Sequence, residues 1–325
     1  MVVTPAALRF PYSRVLLPRT RLAYIHLRNL LNDAKRDRTA KVSGYVTVSL
    51  LDELLILYLL DGESANATLR DAHGSRALSI AAALEKVPTE PEYGEVCFHE
   101  ADDEQLACMF ATHTTMPEPW PESLTPVDPQ SLFPYLASTT FDGFVEIVAN
   151  ENVNYLVFRN GAVARTFLTS APHGTIVDRV SKLFAREGRI GDLQVTRWGI
   201  PDPLPVQAPT ALVHAYRELV TSIVARLVEL GQAEAPAIAE QARVSLSAAH
   251  PVLEGFSVGG KPTKDATADA SAVTAAVAAW LRETLWSASD HDANPPDAIF
   301  RELTWDRRHI FQSAGLFDQV PWKAW

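Results

Sequence analysis

Cys97, His99, Cys108 and His113 lie in one short stretch, with Glu100, Asp102, Asp103 and Glu104 between them. Thiolate, imidazole and carboxylate are the ligands of a tetrahedral zinc site. Such sites draw on close ligand pairs of the CxxC or HxxxH kind, and these are wanting. Strand alternation puts Cys97 and His99 on one face, where they serve equally as core and edge residues. Nucleophilic catalysis finds little support, because neither cysteine has neighbours that would lower its pKa and no GxSxG elbow occurs. With only two cysteines in the chain, a disulfide framework is excluded, and two buried free thiols in a reducing cytosol are expected. The reading is therefore a chain without catalytic, cofactor-binding or metal-ligating residues.

Other reactive-looking groups resolve similarly. Gly255, Gly259, Gly260 and Lys261 lack the spacing of a phosphate loop and have no apolar strand leading in. His73-Gly74 and His173-Gly174 each precede an expected helix start, which attracts anions, but without a glycine-rich lead-in they read as loop residues before an N-cap. Asp290-His291-Asp292 reads as a solvated loop. Asp306 and the arginines beside it read as surface pairs on a helix. The aromatic residues Trp305, Phe311, Phe317, Trp322 and Trp325 are candidate interaction anchors, since Trp is typical of interface hot spots. The rival reading is that the tail folds back and buries these rings.

The elements that position these residues are stated twice. Gly44-Tyr45-Val46-Thr47-Val48 and Leu59-Leu60-Asp61-Gly62 recur as Gly143-Phe144-Val145-Glu146-Ile147 and Arg159-Asn160-Gly161, at one constant offset. Asp61-Gly62 and Asn160-Gly161 are tight-turn signals, because glycine accepts the positive φ such turns need. An internal duplication is expected. Each copy reads as helix, three strands, helix, strand, helix. In the first, residues 22–33 form the opening helix, Tyr45–Leu50, Leu54–Leu60 and Ser64–Leu69 are strands, Gly74-Ser75 opens a helix with Ser75 as N-cap, Glu95–His99 is a strand and Asp103–His113 a helix. In the second, Thr175 caps the internal helix, and a helix from Thr210 takes the place of residues 103–113.

The layout that follows is a basic arm over residues 1–21, a first unit over 22–116, a Pro-rich connector over 117–130, a second unit over 131–208 and a helical region over 209–325. Pro117, Pro119, Pro121, Pro126 and Pro129 remove N–H donors and stiffen the connector. Helices are expected over 210–230, 236–249, 270–286 and 296–315, a small bundle. The fold class is α+β: two duplicated units plus a C-terminal helical bundle.

The repeated unit resembles the PATAN module, also catalogued as the DUF4388 family of bacterial proteins. Its outline is a helix, a Gly-led strand, an apolar strand ending in a D/N-G turn, a small-residue return strand and a helix. Gly44-Tyr45-Val46 and Leu59-Leu60-Asp61-Gly62-Glu63-Ser64-Ala65 match it in the first copy. Gly143-Phe144-Val145 and Val157-Phe158-Arg159-Asn160-Gly161-Ala162-Val163-Ala164 match it in the second. The resemblance covers roughly residues 22–200. The first copy departs from the outline, with a charged stretch before its first strand and two acids before its second. The resemblance implies a scaffold for protein contacts in bacterial signalling, often beside response-regulator phosphorelay parts, and no common catalytic residues.

Composition bounds the function. A length of 325 residues suits two or three domains, and 47% hydrophobic with 21% charged residues is a globular balance. A net charge of -10 argues against a dedicated nucleic-acid binder. Arg9, Arg14, Arg19, Arg21 and Arg28 make the start basic, but Pro5, Pro11 and Pro18 break the helix of a transit peptide, so a patch for an acidic partner is the better reading. No apolar run reaches membrane-spanning length and no secretory h-region is visible, so no membrane insertion and a cytoplasmic location are expected. The leading expectation is a non-catalytic scaffold or adaptor, whose partner is another protein, a response regulator or the same chain. The alternative is a small-molecule sensor with a ligand pocket between the duplicated units, and an enzyme with an unrecognised site ranks third. Edge strands of the two units are expected to pair with each other.

Overall fold

In the computed structural model, residues 7–36, 41–88, 93–170, 174–185, 193–259, 267–288 and 295–322 are described. The chain divides into two compact units, Met1–Pro205 and Val206–Trp325.

The first unit carries strands β1 (Arg14–Arg21), β2 (Gly44–Leu50), β3 (Glu53–Leu60), β4 (Glu63–Asp71), β5 (Gly74–Leu78) and β6 (Glu95–Glu100). Among the described residues they form one antiparallel sheet in the order β1-β6-β2-β3-β4-β5. A second sheet holds β7 (Gly143–Ala149), β8 (Asn152–Arg159), β9 (Ala162–Phe167) and β10 (Gln194–Trp198), ordered β10-β7-β8-β9. Helices α1 (Leu27–Arg36), α2 (Ile80–Lys86), α3 (Asp103–Thr114), α4 (Pro129–Ser138) and α5 (Ile176–Phe184) cover and separate them. Antiparallel sheets with segregated helices make the fold α+β.

The two sheets share one pairing register, residue for residue, at an offset of 99. Gly44 faces Leu59 and Gly143 faces Phe158. Val46 faces Phe98 across β2 and β6, as Val145 faces Arg197 across β7 and β10. The third strand slips at one place in each sheet, between Tyr58 and Leu59 and between Val157 and Phe158. The turns agree as well. Asp61 and Gly62 have φ of 51° and 80°, and Asn160 and Gly161 have 49° and 75°, the pair of positive angles that a two-residue hairpin turn demands. The Gly62 N–H donates to the Val42 carbonyl and the Gly161 N–H to the Phe141 carbonyl, both at 2.9 Å.

Period-two alternation sends the faces of each sheet to different cores. Val46, Val48, Leu55 and Leu57 pack outward with Leu27 of α1 and Ala83 of α2. Val145, Ile147, Leu156 and Phe158 pack outward with Leu132 and Leu136 of α4 and Phe184 of α5. The inner faces meet in a shared core: Tyr45, Ile56 and Tyr58 from the first sheet, Phe144, Tyr155 and Val157 from the second, with Leu106, Cys108 and Met109 of α3. The two sheets thus join face to face, and the pairing of their edge strands expected from the sequence is corrected. Burying both inner faces removes apolar area from water, which edge pairing would leave exposed.

Four further expectations change. Within the arm expected over residues 1–21, the described residues 7–21 are docked: β1 is an edge strand paired with β6, where Pro18 and exposed arginines suit an edge. Ahead of it, Leu8 and Phe10 are buried in the shared core, Arg9 exchanges backbone bonds with Glu151 and Val153, and the Tyr45 hydroxyl donates to the Pro11 carbonyl at 2.9 Å. That segment therefore straps both sheets. Gly74-Ser75 opens strand β5 rather than a helix, because Asp71 Oδ1 accepts from the His73 N–H and closes a hairpin. Ser79 caps α2 instead, accepting from the Ala82 N–H. Thr175 does cap α5, in a reciprocal box with Asp178; His173 lies outside the described residues. The connector over 117–130 is docked: Glu118 bridges Arg197 of β10, and the Trp120 indole donates to the Val195 carbonyl at 2.9 Å.

The second unit is helical: α6 (Thr210–Glu229), α7 (Ala235–Leu246), α8 (Ala270–Ala288), α9 (Pro296–Thr304), α10 (Arg308–Ser313) and α11 (Leu316–Gln319). The single helix expected over 296–315 breaks at Trp305. Tyr216, Ile223, Trp280, Leu281 and Phe300 centre its core, and the Trp280 indole donates to the Ala239 carbonyl at 2.7 Å. The helix from Thr210 belongs to this core, so it does not stand in for residues 103–113, and α3 packs between the two sheets.

Candidate functional site

The junction of the two sheets gathers several polar groups of the first unit, and α3 organises it. Asp102 caps α3 by accepting from the Glu104 N–H at 3.0 Å, which satisfies an orphan donor at the helix start. The second module grips this end. Arg165 of β9 bonds Asp102 at 2.9 Å and Glu104 at 3.1 Å, and Arg159 bonds Glu104 at 3.0 Å. Burial opposes ionisation of Asp102, yet Arg165 and the Glu104 N–H together hold its carboxyl below the usual range. Asp102, Arg159 and Arg165 are close to half exposed and Glu104 about a quarter, so water screens the network. Arg165→Ala is expected to cost less than about 1 kcal/mol. Thermal unfolding at low and high salt checks this: the deficit should shrink with added salt.

Deeper in, Glu146 sits on the inward face of β7, between Phe144 and Val148 of the shared core. Burial pushes its carboxyl up to about 7, against the pull of the Arg70 charge and the Tyr155 and Thr112 hydroxyls. Arg70 comes from β4, so the acid and its counter-charge belong to different modules. His113, at the end of α3, is fully enclosed. Its Nδ1 lies 2.7 Å from the Met109 carbonyl, which fixes the neutral ring with the proton on Nδ1, and Nε2 has no partner. Burial brings its pKa down to about 4, since a second proton would leave an N–H without an acceptor. Tyr58 completes the group, its hydroxyl 3.1 Å from that of Thr68.

Beside Glu146 on β7, Phe144 stacks on Trp198 with centroids 5.4 Å apart and planes 6° from parallel. The pair lines a pocket of about 340 Å³, walled by Phe110 and Ala111 of α3 and by the turn from Gly199 to Pro205, with Glu118 and Asp202 at its lining. The turn is held by the buried Asn66 side chain, which donates to the Pro205 carbonyl at 2.9 Å. The Trp198 Nε1–H is enclosed and has no acceptor. Volume and aromatic lining fall within the range of small-ligand sites.

The residues singled out from the sequence fall elsewhere. Asp61, Gly62, Asn160 and Gly161 form the hairpin turns between β3 and β4 and between β8 and β9. Among the aromatic candidates, Phe311 stacks on Tyr216, and Trp322 and Phe317 pack on Phe300 inside the helical unit. Their rings are held by intramolecular packing, the arrangement that the fold-back reading expected. Trp305 is 60% exposed, and Trp325 lies outside the described residues. Cys97 and Cys108 are free thiols whose pKa burial raises, opposite to what a nucleophile needs. His99 stacks on Tyr12 at 4.6 Å. Among the described residues no group of three or more His, Cys, Asp and Glu is placed to hold a metal, and no helix is long and apolar enough to cross a membrane. Sequence reasoning passed over Glu146, Arg70, Thr112 and Trp198. The one available signal was a lone acid in the apolar strand Phe144-Val145-Glu146-Ile147-Val148.

Comparisons with family models, curated proteins and solved structures found no match.

Proposed function

We propose that this chain is a non-catalytic adaptor of bacterial signalling, working in the cytoplasm, in which a duplicated PATAN-like module forms a platform for another protein. The observation that carries the reading is the common register of the two sheets, down to the position of the slipped pair and the turn bonds. Descent of both modules from one copied unit accounts for that agreement, since independent sheets have no reason to place the same irregularity at the same step. The reactive groups are engaged structurally: acids and arginines clamp α3, and His113 and Cys108 are buried in the shared core. The experiment is isolation of the full chain with its bound proteins from the native host, read by mass spectrometry. A response regulator or another phosphorelay protein in stoichiometric amount is expected. A clean preparation holding only a bound metabolite counts against the adaptor.

A second reading, a small-molecule sensor, is favoured by the aromatic pocket where α3 meets β7 and β10. It requires a ligand-dependent rise in melting temperature.

A further inference from the structure

A second pocket, of about 240 Å³, opens at the end of the second sheet, between the β7–β8 hairpin, the segment after β9 and α5. Arg179 and Lys182 of α5 line it with the neutral side chains of Asn152, Asn154 and Ser170, and its lining holds no Asp or Glu. The two cations stand one turn apart on α5 and so share a side of it. Arg179 is half-buried and held in place, its Nη2 donating to the Ser170 carbonyl at 2.8 Å. A guanidinium has more donors than the Ser170 carbonyl and hydroxyl occupy. Lys182 is exposed. Asp178, on the turn before, feels the Lys182 charge, but its Oδ2 is taken by the Thr175 N–H and hydroxyl. Among the described residues no carboxylate lies within ion-pair distance of either cation.

The first sheet fills the corresponding place from within. Glu53 opens β3 opposite Leu50, as Asn152 opens β8 opposite Ala149. Lys86 is the seventh residue after Ser79, the cap of α2, as Lys182 is after Thr175, the cap of α5. The Lys86 ammonium donates to both Glu53 oxygens, at 3.1 and 3.0 Å. The second sheet has the same lysine, the neutral Asn152 in place of the acid, and Arg179 where α2 has the buried Ala83. Its cation thus stands without an internal anion. Two like charges one turn apart repel, and a bound dianion would turn that repulsion into attraction. The volume lies below the roughly 300–1,000 Å³ of drug-sized sites, which suits an acid of a few carbons.

We infer that this pocket binds a small dicarboxylate, one carboxylate taking at Lys182 the place that Glu53 holds at Lys86, the other accepting from the Arg179 guanidinium. The inference is independent of the adaptor role and of the pocket beside Trp198, with which this one shares no lining residue.

Succinate, succinamate and succinamide share one skeleton and carry two carboxylates, one and none. Each is titrated into the full 15N-labelled chain, in a buffer free of phosphate and carboxylate, while the backbone amides of Asn152, Ser170 and Lys182 are followed. Succinate is expected to move them saturably, succinamate to bind about tenfold more weakly, the value of one charged hydrogen bond, and succinamide to leave them unmoved. Lys182→Gln, at an exposed position where folding is not at stake, should weaken succinate about tenfold. Asn152→Glu, which supplies the acid that Glu53 supplies in the first sheet, should abolish succinate binding in a chain whose amide spectrum elsewhere is that of wild type. Inorganic phosphate binding as tightly as succinate would overturn the carboxylate class. Succinamide binding as tightly as succinate, succinate shifts that survive both substitutions, or amides unmoved by succinate at millimolar concentration would each overturn the inference.

Discussion

Replacing Glu146 by Gln and His113 by Gln will tilt the stability of the first unit in opposite directions with pH. The Glu146 carboxyl, ordinarily near 4.5, is held at about 7 by burial. The folded protein therefore binds this proton more tightly than the unfolded chain does. Its stabilising contribution is complete below pH 4.5 and is lost as pH rises through 7. His113 is brought from 6.5 down to about 4. Its contribution is complete above pH 6.5 and is lost as pH falls through 4. In the native protein the two trends oppose each other between pH 4.5 and 6.5. Each shift corresponds to a change on the order of 3 kcal/mol across its window. Relative to wild type, Glu146→Gln should gain stability from pH 4.5 to 7 and then level off. His113→Gln should lose relative stability from pH 4 to 6.5. Native-state amide exchange in β3 and β8 between pH 4 and 7.5 reads both. Differences that stay flat with pH, or that run in the same direction, would contradict the burial assigned to these groups.

The second large effect concerns the glycines that head β2 and β7. A Cβ on Gly44 would lie 2.1 Å from the His99 carbonyl oxygen, and one on Gly143 would lie 2.3 Å from that of Trp198. His99 and Trp198 are equivalent positions at the same offset as the glycines. In both modules, then, the first strand is approached so closely by the last that only hydrogen fits. The obstacle is backbone in a paired strand, so relief requires moving the sheet itself. Gly143 also has φ of 152°. Gly44→Ala and Gly143→Ala are each expected to cost about 3 kcal/mol. Gly199→Ala is the contrast, because its added methyl meets only the end of the flexible Glu118 side chain at 3.3 Å; it should stay within about 0.5 kcal/mol of wild type.

The two matching hairpins were legible because turn chemistry is local. Asp61-Gly62 and Asn160-Gly161 announce their hairpins, and the Gly-aromatic strands beside them fix the offset. The helices of the second unit were legible from their apolar periodicity, with α6, α7 and α8 beginning within a residue of their expected starts. What lay beyond the sequence was the destination of each face. Leu54 to Leu60 is one unbroken apolar run, so nothing in it tells that Ile56 and Tyr58 face the other module while Leu55 and Leu57 face α1 and α2. A strand buried on both sides carries no alternation to read. The N-terminal strap was hidden by its arginines, which suit a solvated arm as well as an edge strand. The equivalence of His73-Gly74 with His173-Gly174 was superficial. Their spacing is one residue longer than that of the true repeat, and an Asp71 side chain turned the first into a hairpin. Glu146 escaped notice because a single acid in a strand ordinarily marks a solvent-facing position, and only the packing of a second sheet over it leaves it half-buried.

The account stands on two equivalent modules held by one core, and amide exchange at Leu57 and Leu156 in Gly44→Ala tests this most directly. These residues occupy equivalent places in β3 and β8. If the core is shared, a lesion confined to the first module lowers the opening free energy at both amides by the same amount, about 3 kcal/mol. A fall at Leu57 with Leu156 unchanged would show two modules that open separately, and the single platform would be contradicted.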